Sequence, residues 1–541
     1  MRRRPFLRSR PARVAARAAR LVTGTAPRVV VLGPHRTAVE QALLEHLPAA
    51  ELVALPPDPD RHHLVLATSE PVDLVVDTGA QDRLRTFRTC FFHLRPGGSQ
   101  VIADGAGELG PRPGPLGRLL CDAADAADAP GPAAGPLRTF KVPPRPSELR
   151  ALREHVRARA EAGDLVLTHD LPDVHALIRE EDLDGILPLL PGGHRVLAVV
   201  EAAAPPLPRA EEGPVPRSRH AGRGLAAVPL RLREYRDVVV APHQVVLAGR
   251  VVLPDSFRHH QSPLLWNKAL AGVSPGHAVP VYPPPADLPR LEGTLVHLDD
   301  ESRGHFGHLL TETLSRVWAW PEALARDPDA RVVVCATPQR PALMAYEREI
   351  YAACGIPGDR VVLAEGATRV ERLLSGTPML SNPHYVHPRI AETWDLVGDR
   401  LAAQAQPRAW PRRIFVGRRE RKRRCHNAAE VEAQFRAHGF EVVHPEDHSL
   451  GDQVRMFRAA EVVAGFGGSG LFQLAFVAEP TRVVEVVSDA YHARNELLIA
   501  AVRGHRIDTI VCRADRRAFQ SPFRYDDARE GPLLRTVLAS L

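Results

Sequence analysis

The sequence predicts an α/β protein whose sheets are largely parallel and covered by helices. Three observations carry that reading. Between Arg412 and Glu485, apolar runs of strand length alternate with helical segments, the pattern of a doubly wound sheet. The third of those strands runs into Gly467-Gly468-Ser469-Gly470, which opens the next helix. A second alternation of the same kind occupies Arg28 to Asp104. In such sheets ligands gather at the carboxyl ends of the strands.

Length and composition frame the elements. With 541 residues and 44% hydrophobic content, the chain has material for about two to four domains. A net charge of +6 is small for that length and does not select nucleic acid over other anions. Cys90, Cys121, Cys335, Cys354, Cys425 and Cys512 form no close pairs. That argues against a zinc or disulfide framework and fits a reducing compartment. No apolar run approaches the ~20 residues of a spanning helix, and the basic start lacks a signal peptide's apolar core. These features give the expectation of a cytoplasmic protein.

Residues 1–25 read as a basic leader, with Arg2, Arg3, Arg4, Arg8, Arg10, Arg13, Arg17 and Arg20 and no acidic residue. Val14, Ala18, Leu21 and Val22 could share a helical face. Peripheral contact with an anionic membrane at its inner face is therefore one reading. The smallness of that face favours a disordered, solvated tail. Residues 26–142 read as a Rossmann-like α/β domain. Its strands are Arg28 to Gly33, Leu52 to Leu55, Val72 to Asp77 and Ser99 to Asp104; its helices are Thr37 to Leu47 and Arg83 to Leu94. It resembles class I methyltransferase domains, but Gly33-Pro34-His35-Arg36-Thr37 replaces the Gly-x-Gly-x-Gly turn that lets backbone approach a cofactor. The domain is read as degenerate and non-catalytic. Gly105 to Pro136 reads as a loop.

Residues 143–201 read as a helical and mixed segment, with helical spacing from Ser147 to Ala162, a strand at Leu165 to Thr168 and a short helix near Val174 to Arg179. Residues 202–224 are rich in Pro and Arg and read as a linker. Residues 225–405 form a further lobe, with short β-runs, then Thr294 to Leu298, a helix from His305 to Trp320, strands at Arg331 to Ala336 and Arg360 to Leu363, and a helix from Ile390 to Gln404. Residues 406–541 form the last lobe. Its strands are Arg413 to Val416, Phe440 to Val443, Glu461 to Gly465 and Thr481 to Val487. Its helices are Asn427 to His438, Leu450 to Ala460 and Leu471 to Val477.

The last three hundred or so residues resemble the glycosyltransferase 61 family. The resemblance rests on the order Phe306-Gly307-His308-Leu309-Leu310-Thr311-Glu312, Arg418, Arg424-Cys425-His426-Asn427, Gln453, Gly465-Phe466-Gly467-Gly468-Ser469-Gly470 and Glu485. The family turn usually has His where this chain has Gly467, and Asn where it has Gln473. The resemblance implies a two-Rossmann-lobe (GT-B-like) fold. It also implies inverting, metal-independent transfer from a nucleotide-sugar, a UDP-sugar by analogy, to a glycan acceptor in capsular or cell-surface polysaccharide synthesis.

His308 and Glu312, four apart, share a helix face, and His suits a general base oriented by a carboxylate. Both could equally satisfy local hydrogen bonds, and Asp299, Asp300 and Glu301 are alternative bases. His305, His308 and Glu312 also look like metal ligands, but their spacing is not that of a zinc protease and no further protein ligand is obvious. No metal and no cofactor is therefore expected, the nucleotide-sugar being a co-substrate. The resemblance assigns Arg418, Arg424 and Asn427 to the donor diphosphate; a solvated basic loop is the plainer reading. Gly467, Gly468, Ser469 and Gly470 could receive phosphate on backbone amides, or form an ordinary tight turn. Glu485 could accept from ribose hydroxyls or sit in an ion pair. Two rivals to the transferase remain: a non-catalytic nucleotide- or glycan-binding protein that keeps the fold, and a fused methyltransferase.

Overall fold

The computed structural model describes residues 9–79, 82–125, 144–208, 210–215, 224–419 and 422–541. The fold is α/β with several sheets. It divides into two compact units, Met1–Gly193 with Val245–Leu288, and His194–Gln244 with Pro289–Leu541.

The first unit holds a six-stranded sheet in the order Glu51–Leu52, Arg28–Leu32, Val72–Asp77, Leu94–Ile102, Asp164–His169, Val156–Glu161. The first four strands are parallel and the last two join antiparallel. Val29, Val30 and Val31 are all buried, as a strand covered on both faces requires. Phe87, Phe91, Phe92, Leu116, Leu119 and Leu152 belong to one core cluster. At Gly33 (φ +93°) an added Cβ would meet the Thr78 hydroxyl at 2.6 Å. That hydroxyl donates to Leu32 O and accepts from the His35 N–H, so Thr78 fills the space beneath the first turn.

Several expectations for this unit are corrected. The leader is not a disordered tail throughout: Arg10–Ala19 is a helix. Its Val14, Ala15 and Ala18 are buried with Val29, Val31, Val39 and Leu43, because those small residues fit against the sheet. Arg2, Arg3, Arg4 and Arg8 lie outside the described residues. The stretch read as a loop contains the helix Pro115–Asp125, which buries Leu116 and Leu119; residues 126–143 lie outside the described part. The helix at Ser147 stops at His155, and Val156–Glu161 is a strand instead, captured by hairpin pairing with Asp164–His169. His175–Leu177 is a strand followed by the helix Glu180–Ile186. Residues 143–201 are therefore no separate segment, and Val245–Leu288 belongs to this unit rather than to a lobe spanning 225–405.

The second unit holds two large sheets and the two-stranded pair Leu380–Ser381 with Tyr385–Val386. In the first, Arg290–His297, Arg331–Cys335 and Val361–Ala364 run parallel. Thr368–Gly376 joins them in parallel and carries Leu230–Ala241 antiparallel at its other edge. The second has the order Glu441–Val443, Arg413–Val416, Val462–Phe466, Arg482–Ser488, Arg506–Ala514, Phe523–Arg524, parallel through Arg506–Ala514. Ile390–Gln404 buries Ile390, Trp394, Val397 and Leu401 at helical spacing, in one core with Phe457, Leu474 and Phe476.

Two corrections apply here. Residues 202–224 are not linker throughout: Ala210–Pro214 is a strand parallel to Arg506–Ala514, held by backbone pairing and by the Arg506–Glu211 ion pair. Residues 216–223 lie outside the described part. The helix expected from His305 to Trp320 is broken into Phe306–His308, a wide π-turn at Leu309–Thr313, a tight turn at Leu314–Arg316 and a new helix at Ala319–Leu324. π-Turns of this kind recur at functional sites.

Candidate active site

The strand Arg290–His297 ends just before three consecutive acids. Asp299 is buried and accepts from the Gln244 N–H at 2.9 Å. Burial, with Asp300 beside it, pushes its carboxyl up to about 7. Asp300 accepts from the Ser302 N–H at 2.7 Å and the Thr313 hydroxyl at 2.9 Å. Burial and the nearby Glu312 raise its pKa, while His308 works the other way. The π-turn aligns the next pair: His308 Nδ1 lies 2.9 Å from Glu312 Oε1. The His305 ring stands edge-on to His308, centroids 4.7 Å apart. One ligating atom each from Asp300, His308 and Glu312 lies within 4.8 Å of the others. Carboxylates this close to each other disfavour double ionisation, and the three groups are also close enough together to hold a metal ion.

The arginine-rich segment follows the strand Arg413–Val416. Arg418 donates to Gly467 O at 2.5 Å and to Lys422 O at 3.2 Å. Arg423 stacks over Tyr491 and Phe519, 4.6 and 5.3 Å from the ring centres. Arg419 makes a two-pronged pair with Asp447. A cavity of about 660 Å³ opens here, lined by Arg418, Arg419, Arg424 and Arg524 and by Asn427 and Ala428. Asn427 and Ala428 begin the helix Ala428–Ala437, whose free N–H groups and dipole favour an anion. Asn427 itself is engaged internally. Its amide donates to Glu430 and to Tyr525 O, and its oxygen accepts from the Tyr525 N–H. It fastens the Tyr525 segment beside the cavity. Arg421 lies outside the described residues.

The glycine turn is tightly enclosed. A Cβ at Gly467 would collide with Val487, and one at Gly468 (φ +135°) with the Arg418 guanidinium. The Gly468 N–H is taken by Glu496 Oε1 at 2.6 Å, and the Tyr491 hydroxyl donates to the same carboxylate. Ser469 meets the His308 segment: a Cβ at Gly307 would stand 2.8 Å from Ser469 Cβ. Gly470 packs against Val416. Glu485 is fully buried beneath the turn and accepts from the Thr509 hydroxyl at 2.8 Å. The structure thus joins His308 to Glu312 and Arg418 to Gly467 and Gly468, and sets Arg424 and Asn427 on the wall of one cavity. It places Glu485 inside the sheet.

Residues 306–484 match the family model described as Glycosyltransferase 61. This part of the chain is similar to glycosyltransferase 61 proteins. No curated protein matches the chain. Two solved structures of the MycE methyltransferase from the mycinamycin biosynthetic pathway align weakly. The one in complex with Mg and SAH is 17% identical, over 27% of this chain and 41% of that one, with a TM-score of 0.20. The one with Mg, SAH and mycinamycin VI is 14% identical, over 30% and 54%, with a TM-score of 0.21. Scores at that level establish no shared fold.

The likeness to glycosyltransferases rests on this segment, residues 306–484 of the 541. Sequence reasoning missed Arg524, which reaches the cavity from an edge strand beyond the matched segment. It also missed Glu496 and Tyr491, whose only signal is a buried carboxylate and ring after the Glu485 strand. In the described residues no helix is long and apolar enough to cross a membrane.

Proposed function

We propose inverting transfer of a glycosyl group from a nucleotide-sugar, a UDP-sugar, to a hydroxyl of a glycan acceptor, with no metal and no cofactor. The observation that carries this reading is the arginine-lined cavity at a helix N-terminus, in the same unit as a hydrogen-bonded His308–Glu312 pair. The two large sheets of the unit serve as the two lobes of a GT-B arrangement. Glu312 holds the proton on His308 Nδ1, leaving Nε2 as the basic nitrogen. As the acceptor oxygen attacks the anomeric carbon, Nε2 takes its proton and the bond to the diphosphate breaks. The leaving diphosphate gains charge, which Arg418 and Arg424 stabilise through preorganised, charge-assisted hydrogen bonds. Gly467 to Gly470 shape the floor of the donor site, Asn427 positions its wall, and Glu485 supports the turn from below. The product fits a capsular or other cell-surface polysaccharide, made on the cytoplasmic side of the membrane.

The test is a panel of nucleotide-sugars, read by calorimetry and by release of nucleoside diphosphate with glycan acceptors. The expected result is saturable binding of one donor and acceptor-dependent release. Donor binding without turnover on any acceptor would favour a binding protein instead.

A further inference from the structure

The first unit contains a cluster that the transferase does not use. His63 lies at the start of the helix His62–Ala67, His93 in the turn Phe91–His93, and His277 opens the strand His277–Pro280. One ring nitrogen from each lies within 4.8 Å of the other two. His93 Nε2 and His63 Nδ1 are 3.1 Å apart, and the His277 ring is edge-on to both, at 4.6 and 4.8 Å. We propose that His63, His93 and His277 form a three-imidazole site for a divalent transition-metal cation of the zinc class.

The outer contacts already orient two of the rings. His63 Nε2 faces Leu177 O at 3.2 Å, which puts its proton there and leaves Nδ1 as the lone pair toward His93. His277 Nδ1 is bonded to the Ser274 hydroxyl at 2.9 Å. Its Nε2 is buried with no hydrogen-bond partner among the described residues, and the residue has no solvent exposure. A buried polar nitrogen left unsatisfied is costly, and a cation within the cluster would satisfy it. Ligating histidines are commonly fixed through their second nitrogen in this way. Burial lowers the pKa of all three rings, which keeps them in the neutral form that binds metal.

Tetrahedral bonds of about 2.0–2.1 Å separate ligand nitrogens by about 3.4 Å, so with all three within 4.8 Å no pair has to close by more than about 1.4 Å on binding. Arg250 repels a cation here, but Glu70 acts on Arg250 in turn. Three protein ligands leave a fourth position open. His63 also lines a cavity of about 1180 Å³, with Asp60, Asp82, Arg83, Arg88 and Gly276 among its walls. That cavity provides an entry path and room for a water or substrate ligand.

The experiment titrates chelator-stripped, full-length protein with Zn²⁺ by calorimetry, and with Co²⁺ by visible absorption. His308→Ala protein serves as the control for the acidic cluster of the transferase. The expected result is one equivalent bound, with tetrahedral Co²⁺ bands, in both wild type and His308→Ala. His277→Ala and His63→Ala should each weaken that binding by on the order of 100-fold or more. His63→Ala, at the cavity wall, keeps the test decisive should His277→Ala fail to fold. No binding to wild type would overturn the proposal. So would an equivalent that survives His63→Ala, or one lost in His308→Ala alone.

Discussion

Gly307 lies against Ser469 so closely that a Cβ on the glycine would stand 2.8 Å from the serine's own Cβ. This contact joins the His308 segment to the glycine turn. Gly307→Ala should lower stability by about 1–3 kcal/mol through overpacking and reduce transfer as His308 is displaced. Ser469→Gly in the same protein removes the opposing carbon and should recover part of both losses. Denaturant midpoints and turnover of the single and double variants check this; strictly additive effects would mean the two residues do not act on each other.

His308→Ala should lower turnover by about 10²- to 10⁴-fold, the usual worth of a positioned base. Nucleotide affinity should be nearly unchanged, because the group acts mainly in the transition state. Glu312→Gln keeps a hydrogen bond to Nδ1 and should lose less. Single-turnover rates beside calorimetry separate the two effects, and loss of nucleotide binding in His308→Ala would remove its assignment as base.

Arg418→Ala and Arg424→Ala should weaken nucleoside diphosphate binding by roughly 1.5–3 kcal/mol each. Lys at either position should restore only part, since an ammonium lacks the two-pronged fork. Asn427→Ala should instead lower the melting temperature, because that side chain holds Tyr525 on both of its backbone groups. Normal diphosphate affinity in both arginine variants would move the donor elsewhere.

On the proposed mechanism, in which guanidinium groups take the place of a cation at the leaving group, transfer should persist in excess chelator. The experiment is best run in His277→Ala protein, so that metal loss at the imidazole cluster cannot be mistaken for metal loss at the active site. Complete loss of activity, restored by manganese or magnesium, would make Asp300 and its neighbours metal ligands.

Acid should destabilise the protein through two histidines held neutral. His505 Nδ1 accepts from the Thr481 N–H at 3.0 Å while Nε2 faces Leu474 O, and burial lowers its pKa to about 4. His169 is likewise lowered to about 4. Unfolded histidine titrates near 6.5, so between pH 6.5 and 4 the unfolded state binds more protons. Their stabilisation is complete above that window and falls through it, by on the order of 3 kcal/mol each. Asp299 has the opposite sign: raised to about 7, it favours the folded state less as pH climbs from about 4 to 7. Denaturant midpoints at pH 7.5 and 5 should fall for wild type and fall less for His505→Gln.

The sheet Arg413–Ser488 was readable because its signals are local. Val462, Val463 and Ala464 are apolar neighbours bounded by a helix and a glycine turn, and Trp394, Val397 and Leu401 repeat at helical spacing. The pairing of His308 with Glu312 was readable from their four-residue separation. Other features depend on distant partners. Ala210-Glu211-Glu212-Gly213-Pro214 has almost no intrinsic strand character, and becomes a strand only through pairing with Ile507 to Val511. Val156 continues a helical pattern until the hairpin with His169 claims it. His63, His93 and His277 follow no spacing rule, because only the fold brings them together. Glu496 reaches the Gly468 amide across 28 residues, a distance that no short motif spans.

The strand Ala210–Pro214 also has a consequence in time. The Glu211 amide donates to Asp508, 297 residues later in the chain. At a synthesis rate of about 5–20 residues per second, roughly 15–60 s separate the emergence of these two partners from a ribosome. The early segment cannot make this pairing until Arg506–Ala514 has followed it from the ribosome.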